Sequence, residues 1–328
     1  SFIIGSIVEM GPPQGKQQGV RSLLSKDDPS IWYEAASTLP KVIVLSKSKV
    51  PDNDIYEERR QKAERLLESE TAAFSSYKQR HGSEYKWLQQ AHQTGTTADK
   101  IAANSLLVQE SAVANIKSLD TLVTWAARIK GGKEVVRQAM EALQELFVTV
   151  LLPDRELLFF EQQPFGAPLP EGRDGDRILL YWLVEDNVKR RYAQFIAALD
   201  EHSRGDLDFL KDRALKTMSQ LLVKKPEQQV VLLTSVVNKL GDPSRQIASK
   251  AGYMLSKLVE EHPDRKVAVV REVERFIFRP NLKDRARYYA VIFLNQLTLG
   301  RRQSDGGAAL ARQLLDLYFT LFKMVVRG

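Results

Sequence analysis

The sequence predicts an all-α fold, an α-solenoid of HEAT/armadillo-like helical repeats, from three observations on the spacing of its apolar residues. Ala214, Met218, Leu221 and Leu222 stand 12, 8, 5 and 4 residues before Pro226, and Ala251, Leu255, Leu258 and Val259 stand at the same distances before Pro263, an offset of 37 residues. A third copy, Ala286, Ala290, Phe293 and Leu294, follows 35 residues after the second, and Lys211-Asp212-Arg213-Ala214 returns as Lys283-Asp284-Arg285-Ala286. Between the copies, Val230, Leu233, Val236 and Leu240 map onto Val267, Val270, Val273 and Ile277 at the 37-residue offset. One helix pair cannot bury its apolar stripe alone, so neighbouring pairs must stack to make a continuous core.

Along the chain, residues 1–50 read as an irregular segment with short helices: 1–26 is rich in Gly, Pro and Gln, and 29–49 carries Trp32 and Tyr33. Residues 51–93 hold a long charged helix and a connecting helix; Asp52 or Asp54 is its expected N-cap, and Glu57, Glu58, Arg59, Arg60, Lys62, Glu64 and Arg65 offer i,i+3 and i,i+4 pairs. Its apolar side is narrow, which suits a helix lying across a surface. The first repeats occupy 94–162, with helices over 96–108, 118–129 and 133–152, a break at Gly131-Gly132, and a short helix over 153–160. A Gly- and Pro-rich loop follows over 163–176, and 177–328 forms the C-terminal repeats, opened by a long helix over 176–202. At the corner Gly241-Asp242-Pro243, Gly241 is expected to turn left-handed and end one helix, Asp242 to cap the next, and Pro243 to occupy its first position. Ala248, Ala251 and Gly252 are small enough to admit an adjacent helix closely.

Composition excludes several classes of function. The 328 residues are 43% hydrophobic and 27% charged, an ordinary globular balance. No apolar run approaches the roughly 20 residues of a membrane span, and the opening SFIIGSIVEM lacks the basic region and cleavage site of a signal peptide. With no cysteine there is neither a disulfide framework nor thiol chemistry. The start at Ser1 and the stop in a basic, apolar helix at Gly328 lead us to expect a segment of a longer chain. No metal or cofactor is expected: His81, His92, His202 and His262 show no i,i+3 or i,i+4 pairing, and there is no GxxxxGK[ST] loop or GxGxxG fingerprint. Nothing singles out a catalytic acid, base or nucleophile, nor a small-molecule site.

The net charge of +7 is concentrated on the repeats: residues 205–302 carry 19 Lys and Arg against 11 Asp and Glu. A cationic repeat surface suits a polyanion. Candidate phosphate contacts are Lys189, Arg190 and Arg191 on the long helix, Lys224 and Lys225 at one corner, Arg279, Lys283 and Arg287 with Arg285 around a second, and Arg301 and Arg302 in the following loop. Corners and loops are expected along one edge, where cations can track a backbone with little base specificity. Arg213, Lys250 and Arg285 occupy equivalent repeat positions and are expected to form an internal charge ladder. Tyr289 falls in the core register, while Tyr288 falls outside it, where a base can stack. In the last helix, Leu314, Leu317, Tyr318, Leu321 and Phe322 form a stripe that further repeats or a partner must cover.

Several of these stretches, VNKLGDPSRQIASKAGYMLSKLVEEHP (237–263), REVERFIFRPN (271–281), RARYYAVIFLNQLTL (285–299) and LARQLLDLYFTLFK (310–323), resemble the CCAAT-binding-factor domain of the nucleolar complex proteins. Upstream, PDNDIYEERRQKAERLLESE (51–70) and DKIAANSLLVQESAVANIKSLDTL (99–122) share the resemblance. It implies a non-enzymatic scaffold of the nucleolus or nucleus acting early in large-subunit ribosome assembly. The implied partners are nucleolar complex protein two, pre-rRNA and early pre-60S assembly factors. The domain's name also leaves open a role in transcription, and the repeats alone are compatible with a protein-binding adaptor that touches no rRNA.

Overall fold

The computed structural model describes residues 22–24, 29–42, 53–81, 90–91, 94–129, 132–164, 167–298 and 307–327. Among them there is no strand, and no helix is long and apolar enough to cross a membrane. The principal helices are α1 (Trp32–Ser37), α2 (Asn53–His81), α3 (Thr97–Glu110), α4 (Ile116–Ala126), α5 (Lys133–Leu146), α6 (Arg173–Arg204), α7 (Asp208–Lys224), α8 (Gln229–Asn238), α9 (Arg245–Glu261), α10 (Lys266–Ile277), α11 (Asp284–Asn295) and α12 (Gly307–Arg327).

Helices α3, α5, α7, α9 and α11 pack one against the next in a row. On the opposite side α4 packs on α6 and α8 on α10, while α1 and α2 lie against the long α6. Like ends of the row's helices sit together. His262, just past the end of α9, meets the Val223 carbonyl near the end of α7 at 2.9 Å, and Arg285 at the start of α11 donates to the Asp242 and Pro243 carbonyls that precede α9, at 2.7 and 2.6 Å.

All twelve repeat-register residues from Ala214 through Leu294 are buried, as the three-copy pattern requires. The intervening helices keep the offset but sit differently. Val236, Leu240, Val270, Val273 and Ile277 are buried, yet Val230 and Val267 both point outward, and Leu232 and Val269 take the inner position. The two helices are thus equivalent to each other even where the inward face is misread.

Local chemistry explains the boundaries. Thr96 and Asp99 form a reciprocal capping box at α3, with the Thr96 amide donating to Asp99 Oδ2 at 2.9 Å. Gly132, at φ 62°, supplies the left-handed turn before α5. The helix expected to continue to residue 152 changes to a π-turn over Phe147–Leu151, and the Leu151 carbonyl so presented accepts from the buried Trp32 indole at 3.0 Å. Phe147 meets Tyr192 and Phe195 of α6 with ring centroids 4.9 and 5.6 Å apart. The Gly- and Pro-rich loop ends sooner than expected, since α6 already begins at Arg173. Residues 22–24 are fixed where Glu70 of α2 accepts from Ser22 Oγ at 2.6 Å and the Leu23 amide at 2.8 Å; most of the 1–26 segment lies outside the described residues.

Two expectations are corrected. Residues 153–159 form no helix; they run as an extended strap that ends in a single 3₁₀ turn, Phe160–Gln162. At the 241–243 corner, Gly241 is not left-handed. Its preceding helix ends in the 3₁₀ turn Lys239–Gly241, Ser244 is the N-cap position, and Asp242 turns the chain by accepting from the Ser244 amide at 2.9 Å. Gly241 is needed for proximity: a Cβ there would lie 3.1 Å from Phe276 Cζ and 3.3 Å from Ala286 Cβ.

Gly252, by contrast, has only Leu240 Cδ2 at 3.8 Å from such a Cβ. The two glycines should therefore respond oppositely to alanine in a urea melt. Gly241→Ala should destabilise by about 1–3 kcal/mol through overpacking, and Gly252→Ala should stabilise by roughly 0.5–1 kcal/mol by removing a helix-interior glycine. Equal signs would refute this assignment of the repeat interface.

Candidate nucleic-acid interface

The basic triplet on α6 is committed to the protein's own interior. The strap brings a series of backbone amides against α6 and the α7–α8 corner, and three buried carboxylates receive them: Leu157 N–H donates to Glu227 at 2.6 Å, Leu158 N–H to Glu185 at 3.0 Å and Phe160 N–H to Asp186 at 3.2 Å. Gln163 adds a 2.9 Å bond to Glu185, and Arg155 pairs with the same carboxylate. Buried carboxylates need counter-charge. Lys189 supplies it to Glu227 at 2.7 Å and Arg190 to Asp186 at 2.8 Å, with both cations over the Phe159 ring at 5.0 and 5.1 Å. Arg191 turns the other way, to Asp120 of α4 at 2.7 Å and the Asn187 side chain at 2.7 Å. Only Arg190 keeps a substantially exposed side chain, at 45% against 14% and 16% for Lys189 and Arg191.

The second pair divides. Lys225 is buried and holds the beginning of the strap through Asp154 at 2.9 Å, whereas Lys224 is exposed. Around the other corner, Arg279 lies over Phe276 at 5.4 Å and bonds Asn238; Arg287 pairs with Asp284 at 2.9 Å; Lys283 is exposed. Arg301 and Arg302 lie outside the described residues. Since like ends of the row sit together, Lys224 at the end of α7 and Lys283 at the start of α11 occupy opposite edges. The candidates do not line one edge as the corner argument expected.

The ladder positions each reach back one repeat. Arg213 meets Glu141 of α5 at 3.2 Å, Lys250 pairs with Asp212 of α7, and Arg285 takes the corner carbonyls before α9. Burial pushes the Asp212 carboxyl up, but hydrogen bonds from Lys216, at 2.8 Å, and Lys250 outweigh it and hold the group below the ordinary carboxylate range. Other basic groups end the preceding repeat's helices: His202 is 2.8 Å from the Ala126 carbonyl, Arg265 donates to Leu222 O at 2.6 Å, and Lys239 to Ser203 O at 2.5 Å. Burial lowers the Lys239 ammonium's pKa, against the pull of Asp242.

What remains exposed includes residues that sequence spacing did not single out. Tyr288 is 62% exposed, as its register predicted, but Tyr253, one repeat earlier at the same position, is 69% exposed as well. The 35-residue offset that defined the core would have found it, had it been applied to the outward positions. Lys257, one turn further along α9, and Arg245, at the start of that helix, are exposed as well. On α12, Leu314 and Leu317 pack inward rather than lining a free stripe, Leu321 is partly buried, and Tyr318 donates to Asn295 at 2.6 Å. The outward stripe is Leu315, Phe319, Phe322 and Val326, of which only Phe322 was expected there. Among the described residues no group of three or more His, Cys, Asp or Glu side chains is placed to hold a metal ion.

Comparison with known proteins places these features in context. The chain is 41% identical over 309 residues to Protein SLOW WALKER 2 of Arabidopsis thaliana, covering 93% of this chain and 29% of that protein. It is 37% identical over 280 residues to CCAAT/enhancer-binding protein zeta of Homo sapiens, covering 84% and 26% respectively. It is 36% identical over 284 residues to ribosome biogenesis protein NOC1 of Chaetomium thermophilum, covering 81% and 27%. The chain thus spans less than a third of the length of each of these relatives. No family model matches it.

The pairing scheme separates lysines that sequence treats alike. Lys189→Ala strands the buried Glu227 carboxylate and should cost about 3–5 kcal/mol, while Lys224→Ala should stay within about 0.5 kcal/mol of the parent; chemical denaturation of both variants checks this. For Asp212, the folded-state pKa lies below the unfolded one, so its contribution is fully present above the ordinary carboxylate range and is lost as pH falls through the folded value. Asp212→Asn should lower stability at neutral pH and flatten the acid limb of a stability–pH profile. An unchanged acid limb would remove Asp212 from the ladder.

Proposed function

Because this chain belongs to the nucleolar complex protein family of CCAAT/enhancer-binding protein zeta and ribosome biogenesis protein NOC1, we propose that it is a non-enzymatic scaffold in early nucleolar assembly of the large ribosomal subunit. In this reading its helix pairs are HEAT/armadillo-type repeats that bind pre-rRNA and pair with nucleolar complex protein two. The observation that carries the reading is the breadth of the match: 36% identity to a protein named for ribosome biogenesis extends over 81% of the chain.

The geometry refines which side chains serve. Lys189 and Lys225 neutralise the strap's attachment and Arg191 is taken up by Asp120 of α4, so RNA contact falls to the exposed cations Lys224, Arg245 and Lys283, with Arg190, Arg279 and Arg287 adding charge beside their internal partners. Arg301 and Arg302 extend the candidate set beyond the described residues. The protein partner is assigned to the outward stripe of α12, where Leu315, Phe319 and Phe322 are each more than half exposed. A second reading, duplex promoter DNA as ligand, draws support from the name of the human relative, CCAAT/enhancer-binding protein zeta.

RNA affinity should fall steeply with rising salt, because phosphate neutralisation releases counterions. Reversing Lys224, Arg245 and Lys283 to Glu should weaken binding on every RNA sequence and flatten that salt slope. Leu315→Glu with Phe319→Glu should abolish capture of nucleolar complex protein two and leave RNA affinity intact. Tighter binding to CCAAT duplex DNA than to pre-rRNA fragments would favour the promoter reading, and failure to recover either rRNA or assembly factors from cells would end the scaffold reading.

A further inference from the structure

Resting on the RNA reading above, we propose that the outer face of α7, α9 and α11 is a stacking platform for single-stranded RNA, with bases on Tyr253 and Tyr288 and phosphates on Lys216, Lys224, Lys257 and Lys283. Tyr253 and Tyr288 occupy equivalent positions of adjacent packed helices, and Lys216 holds that position on α7. The line therefore runs Lys, Tyr, Tyr across three helices on the face turned away from the core. Packed helices are about 8–10 Å apart, which leaves each phenol ring its own space.

The surroundings are those of a polyanion track. Within two turns of the line, Arg213, Lys216, Lys224, Lys250, Lys257 and Arg285 face Asp212, Glu260, Glu261 and Asp284; Asp212 is already paired with both Lys216 and Lys250, and Glu261 with Lys257 at 3.6 Å. Lys224 stands at one edge of the row and Lys283 at the other, so a chain crossing from edge to edge passes over both tyrosines. This accounts for cations at opposite edges, which a track along a single edge does not. Tyr288 meets the Tyr289 ring edge-on, with centroids 5.9 Å apart, yet the two rings at matched positions stay 69% and 62% exposed, and the same turns bury their core residues without them. Rings on a cationic face match the way sequence-tolerant single-strand binders combine stacking with backbone charge.

Fluorescence anisotropy with a labelled oligouridine of about 12 nucleotides, bound to the full chain, tests the platform. Tyr253→Ala/Tyr288→Ala should weaken binding at least about thirtyfold, the effect of losing stacking under two bases, and Tyr253→Phe/Tyr288→Phe should bind within about threefold of the parent. The salt slope of the alanine variant should match the parent's, because no phosphate contact is removed. Both rings are exposed, so the melting temperature should be unchanged and serves as the folding control. If the alanine variant binds like the parent while Lys224→Glu/Lys283→Glu does not, the platform is wrong and the RNA reading stands. Phenylalanine variants as weak as alanine, or duplex RNA bound as tightly as single strand, would also overturn stacking. Loss of a captured protein with unchanged RNA affinity would reassign the face to protein contact. A parent chain that binds no RNA would end both proposals.

Discussion

The attachment of residues 153–163 to α6 is the constraint on which the middle of the molecule depends. An extended segment laid over helices exposes amides that neither a helix nor a sheet satisfies, and burying them unpaired is costly. Glu185, Asp186 and Glu227 accept three of them, and those carboxylates in turn require Lys189, Arg190 and Arg155. Lys225 ties the strap's other end through Asp154. The strap joins α5, through its π-turn, to α6, so its position fixes how the earlier helices meet the later repeats. It also seats Phe160 against Ala63, Leu179 and Leu183, the small apolar cluster that holds α2 to α6.

The same logic extends along the repeats in a second form. Each helix ends with carbonyls that lack an intrahelical donor, and at several corners a basic side chain from later in the chain supplies one. His202 serves α4, Lys239 serves α6, and His262 and Arg265 serve α7. The cations among them, Lys239 and Arg265, also meet the negative end of the macrodipole. Stacking is thus apolar at the centre of the interface and charge-assisted at its margins. Part of the basic excess over 205–302 is spent within the fold, and the charge facing solvent is smaller than the sequence count implies.

How much of this was legible from the chain depends on range. The core register was readable because helical periodicity is local: Ala214, Met218, Leu221 and Leu222 announce one buried face, and the copies at Ala251 and Ala286 announce its repetition. The strap was not, since its residues are apolar enough to suggest a helix and its real partners, Glu185, Asp186 and Glu227, lie 22 to 70 residues away. For the same reason Lys189-Arg190-Arg191 read as an exposed cationic cluster. Nothing in a triplet reveals that carboxylates on the same helix and a distant corner already occupy it. The stripe on α12 erred in rotation only: Leu314 and Leu317 belong to the inward face, and Leu315 and Phe319 lie about a third of a turn away.

A repeat whose stability resides in its inner register leaves its outer positions free to vary. Lys216, Tyr253 and Tyr288 share a position, yet differ in chemistry while their neighbours Ala214, Ala251 and Ala286 do not. Core positions are held alike because every copy must fit the next, and no such demand reaches the outward residue. Conversely, the basic groups that reach back one repeat are bound by the stacking and cannot be altered without disturbing it. Binding chemistry is therefore best sought at positions that the repeat equates but packing does not use, and the highest local density of basic residues is a poor guide to it. By that criterion the outer face of α7, α9 and α11 outranks the triplet on α6: its rings and several of its cations face solvent, whereas the triplet's charges are already opposed by carboxylates within the fold.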